Sequence, residues 1–201
     1  MTAGIGLSNF VEVKLNVMKT VLKVILLAIA YLLTFVLGST TGLIHPACYA
    51  YVGALLPLLF APIYLRTCTL VRGFGAAAIL NGFLLLAGLI AGEADVPCII
   101  GMVALAALAE LTRFWYKYDS PKSIRWSFVP FALSFFAYTS HWWFDTEGSL
   151  AAAVEEMRPG YDQLMIPVIE NVPMLIVAIV LAIPVAILSM RLAESLLRPR
   201  K

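Results

Sequence analysis

From about residue 20 onward the chain alternates long apolar runs with short polar clusters, and each run is long enough to be a membrane helix. A crossing needs about 20 consecutive apolar residues. The pattern predicts spans over Thr20–Ser39, Pro46–Leu65, Gly73–Gly92, Val96–Trp115, Trp126–Phe144 and from Val172 to about Arg191. Ahead of them, Ile5, Leu7, Phe10, Val11 and Leu15 recur at near-helical spacing, which fits a short interfacial helix; a disordered start fits residues 1–18 as well. Residues 19–201 contain no internal repeat and no low-complexity tract. The expectation is one all-α domain, an integral membrane bundle of six transmembrane helices.

Composition agrees with the pattern. Of the 201 residues, 62% are hydrophobic and 13% charged, where a soluble domain is about one quarter charged. The charges are also sorted. Among the 14 Lys and Arg, only Arg158 falls outside the set of loops that includes Lys19, Arg72, Lys122 and Arg198. Glu93, Asp95, Asp145, Glu147, Glu155, Glu156, Asp162 and Glu170 fall with Arg158. Cytoplasmic loops retain Lys and Arg, so both termini are expected on the cytoplasmic side of the membrane. The cations sit in short loops at helix ends, not in one patch, and nucleic-acid binding is not expected. Lys19 and Lys23 before an apolar run also fit a signal peptide, but that run spans and lacks a small-x-small cleavage site before Thr40-Thr41-Gly42.

What the spans lack narrows the function. Asn81 is the one strongly polar side chain near a midplane, and Glu110 lies close to the inner end of the fourth span. Ion-coupled carriers keep a carboxylate, His or Lys inside the bundle despite its cost. No His-Glu-x-x-His, Gly-x-Ser-x-Gly or phosphate-loop motif is present, so neither an enzyme nor an ATPase is expected. His45 and Cys48 are three residues apart, but two ligands do not make a zinc site and no metal site is expected. Cys48 and Cys98 both fall near outer helix ends, where topology permits a disulfide.

The outer ends are richer. Ser39 to His45 form the first outer loop, with Tyr49 and Tyr51 just inside the second span; the fifth ends in His141-Trp142-Trp143-Phe144. A long outer segment, residues 145–171, carries Arg158 and Tyr161 near its middle. A loop of that length usually has a job such as covering a ligand. The aromatic residues fit an interfacial belt. They also fit an outward-facing pocket for a flat, amphipathic small molecule, with His45, Tyr49, His141, Trp142, Trp143, Arg158 and Tyr161 as its candidate residues. Imidazole ligates haem iron, so His141 or His45 is a candidate axial ligand if the cargo is haem. Arg158 suits an anionic group on the ligand, or its neighbours Glu155, Glu156 and Asp162. On the first span, Ala30, Thr34 and Gly38 share a face of small residues, which suits packing inside the bundle or docking on another membrane subunit.

Several segments carry a family resemblance: Leu55-Leu56-Pro57-Leu58-Leu59-Phe60-Ala61-Pro62, Leu108-Ala109-Glu110-Leu111, the turn Tyr118-Asp119-Ser120-Pro121-Lys122-Ser123, and Met157-Arg158-Pro159-Gly160-Tyr161-Asp162. From about Lys19 onward the chain resembles the Trep_Strep family, also called the MptD family, of S components of energy-coupling-factor (ECF) transporters. It departs from the family in the helix-one motif, where Ala30 and Thr34 replace two alanines. The resemblance implies a substrate-binding subunit that captures a vitamin-like or metal-bearing nutrient at the extracellular face. A transmembrane T subunit and two ATPases would then drive its release inward, with Ala30, Thr34 and Gly38 as the expected T-subunit contact. Haem, as transported ligand and not as intrinsic cofactor, is the leading substrate it suggests. The rival readings are a self-sufficient channel or carrier and, in a different class, a membrane enzyme or chaperone for a lipid or cofactor.

Overall fold

A computed structural model describes residues 3–197, with side chains from residue 11 onward. Among them the chain is helical almost throughout and contains no strand. The end of the bundle that carries the basic connections is termed inner.

Helix α1 (Ala3–Thr40) is continuous for 38 residues, so residues 3–18 are helical and run without a break into the first span. At 1.5 Å per residue it is about 57 Å long, well beyond the hydrocarbon core. The second span is bent. Helix α2 (Pro46–Tyr51), prolonged by a tight turn at Val52–Ala54, is followed after Leu55-Leu56 by α3 (Pro57–Leu70), and the two segments differ in direction by 44°. Pro57 lacks an N–H, so the ladder cannot run straight through.

Helix α4 (Ala76–Ala91) starts after Gly75 (φ +121°) and stops at Gly92 (φ +78°), a left-handed cap in which the Glu93 N–H donates to the Gly88 carbonyl at 2.8 Å. Both positions need the conformational freedom of glycine. Helix α5 (Val96–Trp115) is capped by Asp95, whose Oδ1 accepts from the Cys98 N–H at 2.7 Å. The expected fifth span begins earlier, at a Ser120 cap, and is interrupted: α6 (Pro121–Ala132) and α7 (Ser134–Tyr138) break at Leu133, after Pro130. It ends at Tyr138, and α8 (His141–Phe144) is a separate turn. Residues 145–171, expected as loop, are two helices, α9 (Thr146–Glu156) and α10 (Tyr161–Glu170). Helix α11 (Val172–Leu197) closes the chain.

By length and hydropathy, α1, α5 and α11 each suffice to cross a bilayer, and the bent α2–α3 pair does so only when its two halves are counted as one span. The 16-residue α4 is apolar but shorter, and the α6–α7 stretch is broken. These elements form a closed ring in which α1 packs on α3, α3 on α11, α11 on α6, α6 on α5, α5 on α4 and α4 on α1. The outward residues of the long helices, such as Leu26, Leu33 and Leu37 on α1 and Val180, Leu188 and Leu192 on α11, are large and exposed. In water such a surface would aggregate; against lipid it costs nothing.

Aromatic rings fill the axis of the ring. From the outer side inward, Phe135 meets Phe35 at 5.3 Å between centroids, Phe35 meets Tyr31 at 5.0 Å and Tyr31 meets Phe131 at 5.1 Å. Tyr64 follows at 4.5 Å from Phe131, and Phe128 at 5.5 Å from Tyr64. All six are buried. Beside the column, Asn81 is a polar hub. Its Oδ1 accepts from the Tyr31 hydroxyl at 3.0 Å, and its Nδ2 donates to the Met102 carbonyl and to Ser134 Oγ, each at 3.1 Å. One side chain thereby ties α1, α4, α5 and α7. This buried polar residue holds the bundle together.

Candidate functional site

The outer ends of the bundle are closed by a cap built from α2, α8, α9 and α10. Its apolar centre comprises Ala50, Trp142, Ala153, Tyr161, Met165, Val168 and Ile169, with Tyr49 and Trp143 packed against them. The local sequence explains why the segment folds. Asp145 caps α9 by accepting from the Gly148 N–H at 3.2 Å, and Leu150 to Glu156 is rich in Ala and Glu, which favour helix. Gly160 (φ +82°) turns the chain into α10.

The α10 side of the cap is tethered to α2, α8 and the first outer loop through backbone carbonyls. The Tyr161 hydroxyl donates to the Gly42 carbonyl at 2.8 Å, Trp143 Nε1 to the Ile169 carbonyl at 3.1 Å, and the Tyr51 hydroxyl to the Val168 carbonyl at 3.4 Å. Tyr49 bridges cap and column, its ring 4.8 Å from Trp142 and 5.9 Å from Phe135.

The structure thus brings Tyr49, Trp142, Trp143 and Tyr161 into one cluster, with His141 at its edge. His141 is half-buried, and its Nδ1 lies 3.0 Å from Ser149 Oγ, while the Ser149 hydroxyl reaches the His141 carbonyl at 3.2 Å. Burial pushes the imidazole pKa down, against the opposing pull of Asp95, Glu93 and Asp145, so the ring is neutral at pH 7 and Nε2 keeps a lone pair or a proton to offer. His45 does something else. It is exposed, and its Nδ1 accepts from the Ala47 N–H at 3.1 Å, capping α2. Arg158 is exposed in the α9–α10 turn, and none of Glu155, Glu156 or Asp162 pairs with it: the ion pairs among the described residues are Glu110–Arg113 and Arg125–Glu194.

The seam residues divide too. Ala30 and Thr34 are half-buried, and Thr34 Oγ1 donates to its own helix at the Tyr31 carbonyl (2.7 Å). Gly38 is buried, and a Cβ there would come within 2.8 Å of both Leu56 and Phe135. The glycine therefore serves close packing inside this chain, at the edge of an apolar groove of about 470 Å³ that includes Leu37, Thr41 and Leu55. Cys48 is exposed and Cys98 buried, both as free thiols, so the disulfide that topology permitted is not formed. Among the described residues no three His, Cys, Asp or Glu side chains gather where they could share a metal ion.

Sequence reasoning missed the polar groups at the inner end. Glu110 Oε1 accepts from the Ala77 N–H at 2.7 Å, in the first turn of α4, and Arg113 Nη2 donates to the Val71 carbonyl at 2.8 Å, at the end of α3. The two side chains are buried and lie 3.6 Å apart. Together they clasp the α3–α4 turn, satisfying one helix N-terminus and one C-terminus. The i, i+3 spacing of the pair was the available signal. Ser149, by contrast, leaves no mark in the sequence as a partner of His141.

Comparison with curated proteins and with solved structures returns no match. A family model does match, over residues 18–199, and it carries the description "hypothetical bacterial integral membrane protein". That stretch takes in every element from the body of α1 to the end of α11, and on it the chain belongs to the Trep_Strep family of bacterial integral membrane proteins.

Proposed function

We propose that the chain is the substrate-binding S subunit of an ECF-type ATP-driven importer in the cytoplasmic membrane, with its elements crossing six times and both termini inside. The observation that carries this reading is an axis filled by aromatic side chains beneath an outer cap with its own apolar centre. A channel or self-sufficient carrier needs a path, or a midplane group that binds its ion. Here the axis is packed, and the midplane Asn81 has its amide committed to structure. A cover over an aromatic-lined end suits capture from outside. Movement of the cargo then depends on energy supplied elsewhere, by a T subunit and two ATPases, and the half-buried small residues Ala30 and Thr34 are the proposed contact.

The cargo is a small, flat, amphipathic micronutrient that takes its place among Tyr49, Trp142, Trp143 and Tyr161 once α9 and α10 move away from α2 and α8. Haem is the first ligand to test, with His141 Nε2 as its axial donor and Arg158 at the rim for a carboxylate. His45 is a weaker candidate because Nδ1 already caps α2.

The test is twofold. Affinity purification from the native membrane is expected to bring down a T subunit with paired ATPases, and reconstituted complex to accumulate cargo only with ATP. Flux through the isolated chain in liposomes would overturn the reading in favour of a carrier. For substrate, haem added to the purified protein is expected to give a shifted Soret band that His141→Ala abolishes and His45→Ala retains. No shift in the unaltered protein removes haem as cargo and leaves the subunit assignment to the first experiment.

A further inference from the structure

Helix α1 does not stop where the membrane does. Counted from its outer end at Thr40, about 20 residues cross the hydrocarbon, which brings the inner boundary near Val21. The helix continues inward past that boundary, and Val11 to Lys19 alone extend it by about 14 Å. Every residue from Val11 to Lys19 is exposed, so the bundle buries no face of this stretch. Val11, Val13, Leu15, Val17 and Met18 among them are large and apolar. Apolar side chains exposed together on the aqueous side mark a surface that another body covers.

Their spacing gives the shape of that body. Val11, Leu15, Met18, Leu22 and Ile25 follow one another at alternating intervals of four and three residues, the repeat of a coiled-coil seam, and all of them are exposed. No Pro or Gly interrupts α1 between Leu7 and Leu37, so nothing turns the stretch down onto the membrane plane. A helix that stands away from the membrane meets another helix, not lipid. The charges then choose between partners. Lys14 precedes Leu15 on one side of the seam and Lys19 follows Met18 on the other, with Glu12 about two turns before Lys19 on the same side. In a parallel pairing of two copies, Lys14 of each copy would face Lys19 of the other, and like charges at these flanks oppose association. A helix with Asp or Glu on both flanks is attracted at both lysines.

We propose that residues 11–19 of α1 form a docking strip for an amphipathic helix of a partner protein, which lays apolar residues on Val11, Leu15 and Met18 and sets carboxylates against Lys14 and Lys19. The strip is distinct from Ala30 and Thr34, and it stands whether or not the chain is an importer subunit. Val11 to Val17 lie ahead of the stretch that the family model matches.

The experiment is disulfide trapping on the full chain in large phosphatidylcholine nanodiscs, which expose both faces and hold more than one copy. Leu15→Cys in a Cys48→Ala background presents one exposed thiol, since Cys68 and Cys98 are buried. It is offered three heptad peptides, each with a cysteine at a central core position: a Leu seam with Glu flanks, a Leu seam with Lys flanks, and a Ser seam with Glu flanks. The first is expected to give at least about fivefold more adduct than either of the others. Lys14→Glu/Lys19→Glu should hand that advantage to the Lys-flanked peptide. Equal yields from the Glu and Lys flanks, or from the Leu and Ser seams, overturn the proposal. So does a disulfide-linked dimer of the chain itself, which gives the strip to a second copy. A thiol at position 15 shielded from a water-soluble maleimide gives it to the membrane, and overturns the proposal too.

Discussion

The ring of helices and the cap over it are built from the same residue types and held in different ways. Inside the ring, aromatic contacts run from Phe135 to Phe128, and Asn81 spends its amide on three elements at once. The cap has its own apolar centre, but hydroxyls and an indole bonded to single carbonyls make its polar tethers. Each such tether contributes about 1 kcal/mol, and its carbonyl can bond water instead. The difference is between a scaffold that cannot lose one part without losing others and a cover that can open while the scaffold stays. Outward capture needs that pairing.

Four perturbations test the contrast. The largest effect belongs to the inner clasp: Arg113→Leu leaves the buried Glu110 carboxylate without its counter-charge and is expected to cost about 3–5 kcal/mol in an unfolding titration. The double variant Glu110→Gln/Arg113→Leu should recover most of that loss. Asn81→Ala comes next. It removes the acceptor of the Tyr31 hydroxyl and opens a small void, at about 2–3 kcal/mol, and should lower the unfolding midpoint of the whole bundle.

Tyr161→Phe, by comparison, removes one hydrogen bond from the cap, about 1 kcal/mol. It should speed hydrogen exchange in residues 145–171 while leaving α3 and α11 unchanged; equal acceleration in both would remove the distinction. The smallest effect comes from His141. Because burial lowers its folded pKa, the opened cap takes up a proton near the ordinary value of about 6.5 that the closed cap refuses. The closed state is therefore fully favoured above that pH and loses ground as pH falls through the depressed value. Exchange in residues 139–156, corrected for its intrinsic pH dependence, should rise between pH 7.5 and 5, and His141→Gln should flatten the profile.

Much of the scaffold was legible in the residues. Hydrocarbon thickness fixes run length, and the caps at Gly92 and Asp95 stand at the expected end of the third span and start of the fourth, whereas the Ser120 cap lies well ahead of the expected start at Trp126. Breaks inside the apolar runs were less legible, because Pro57 and Pro130 interrupt helices without changing hydropathy. The cap was misread as loop. Its charged composition ended the apolar pattern, yet Leu150-Ala151-Ala152-Ala153-Val154-Glu155-Glu156 has strong helix propensity and an Asp145 cap before it. Of the site, the aromatic residues could be named in advance; their convergence could not, since Tyr49 on α2 and Trp142 on α8 are far apart in sequence and meet only in the folded chain. The Glu110–Arg113 pair was hidden for another reason. Its partners are backbone groups of the α3–α4 turn, and backbone has no signature in sequence.

All of this depends on the cap facing outward while the basic connections face in, which one labelling experiment decides. In a Cys48→Ala background, Lys122→Cys and Arg158→Cys each add a thiol at an exposed position on opposite ends of the bundle. With a membrane-impermeant maleimide on intact cells, residue 158 should label directly and residue 122 only after the membrane is permeabilised. Labelling of both from the same side would contradict the account.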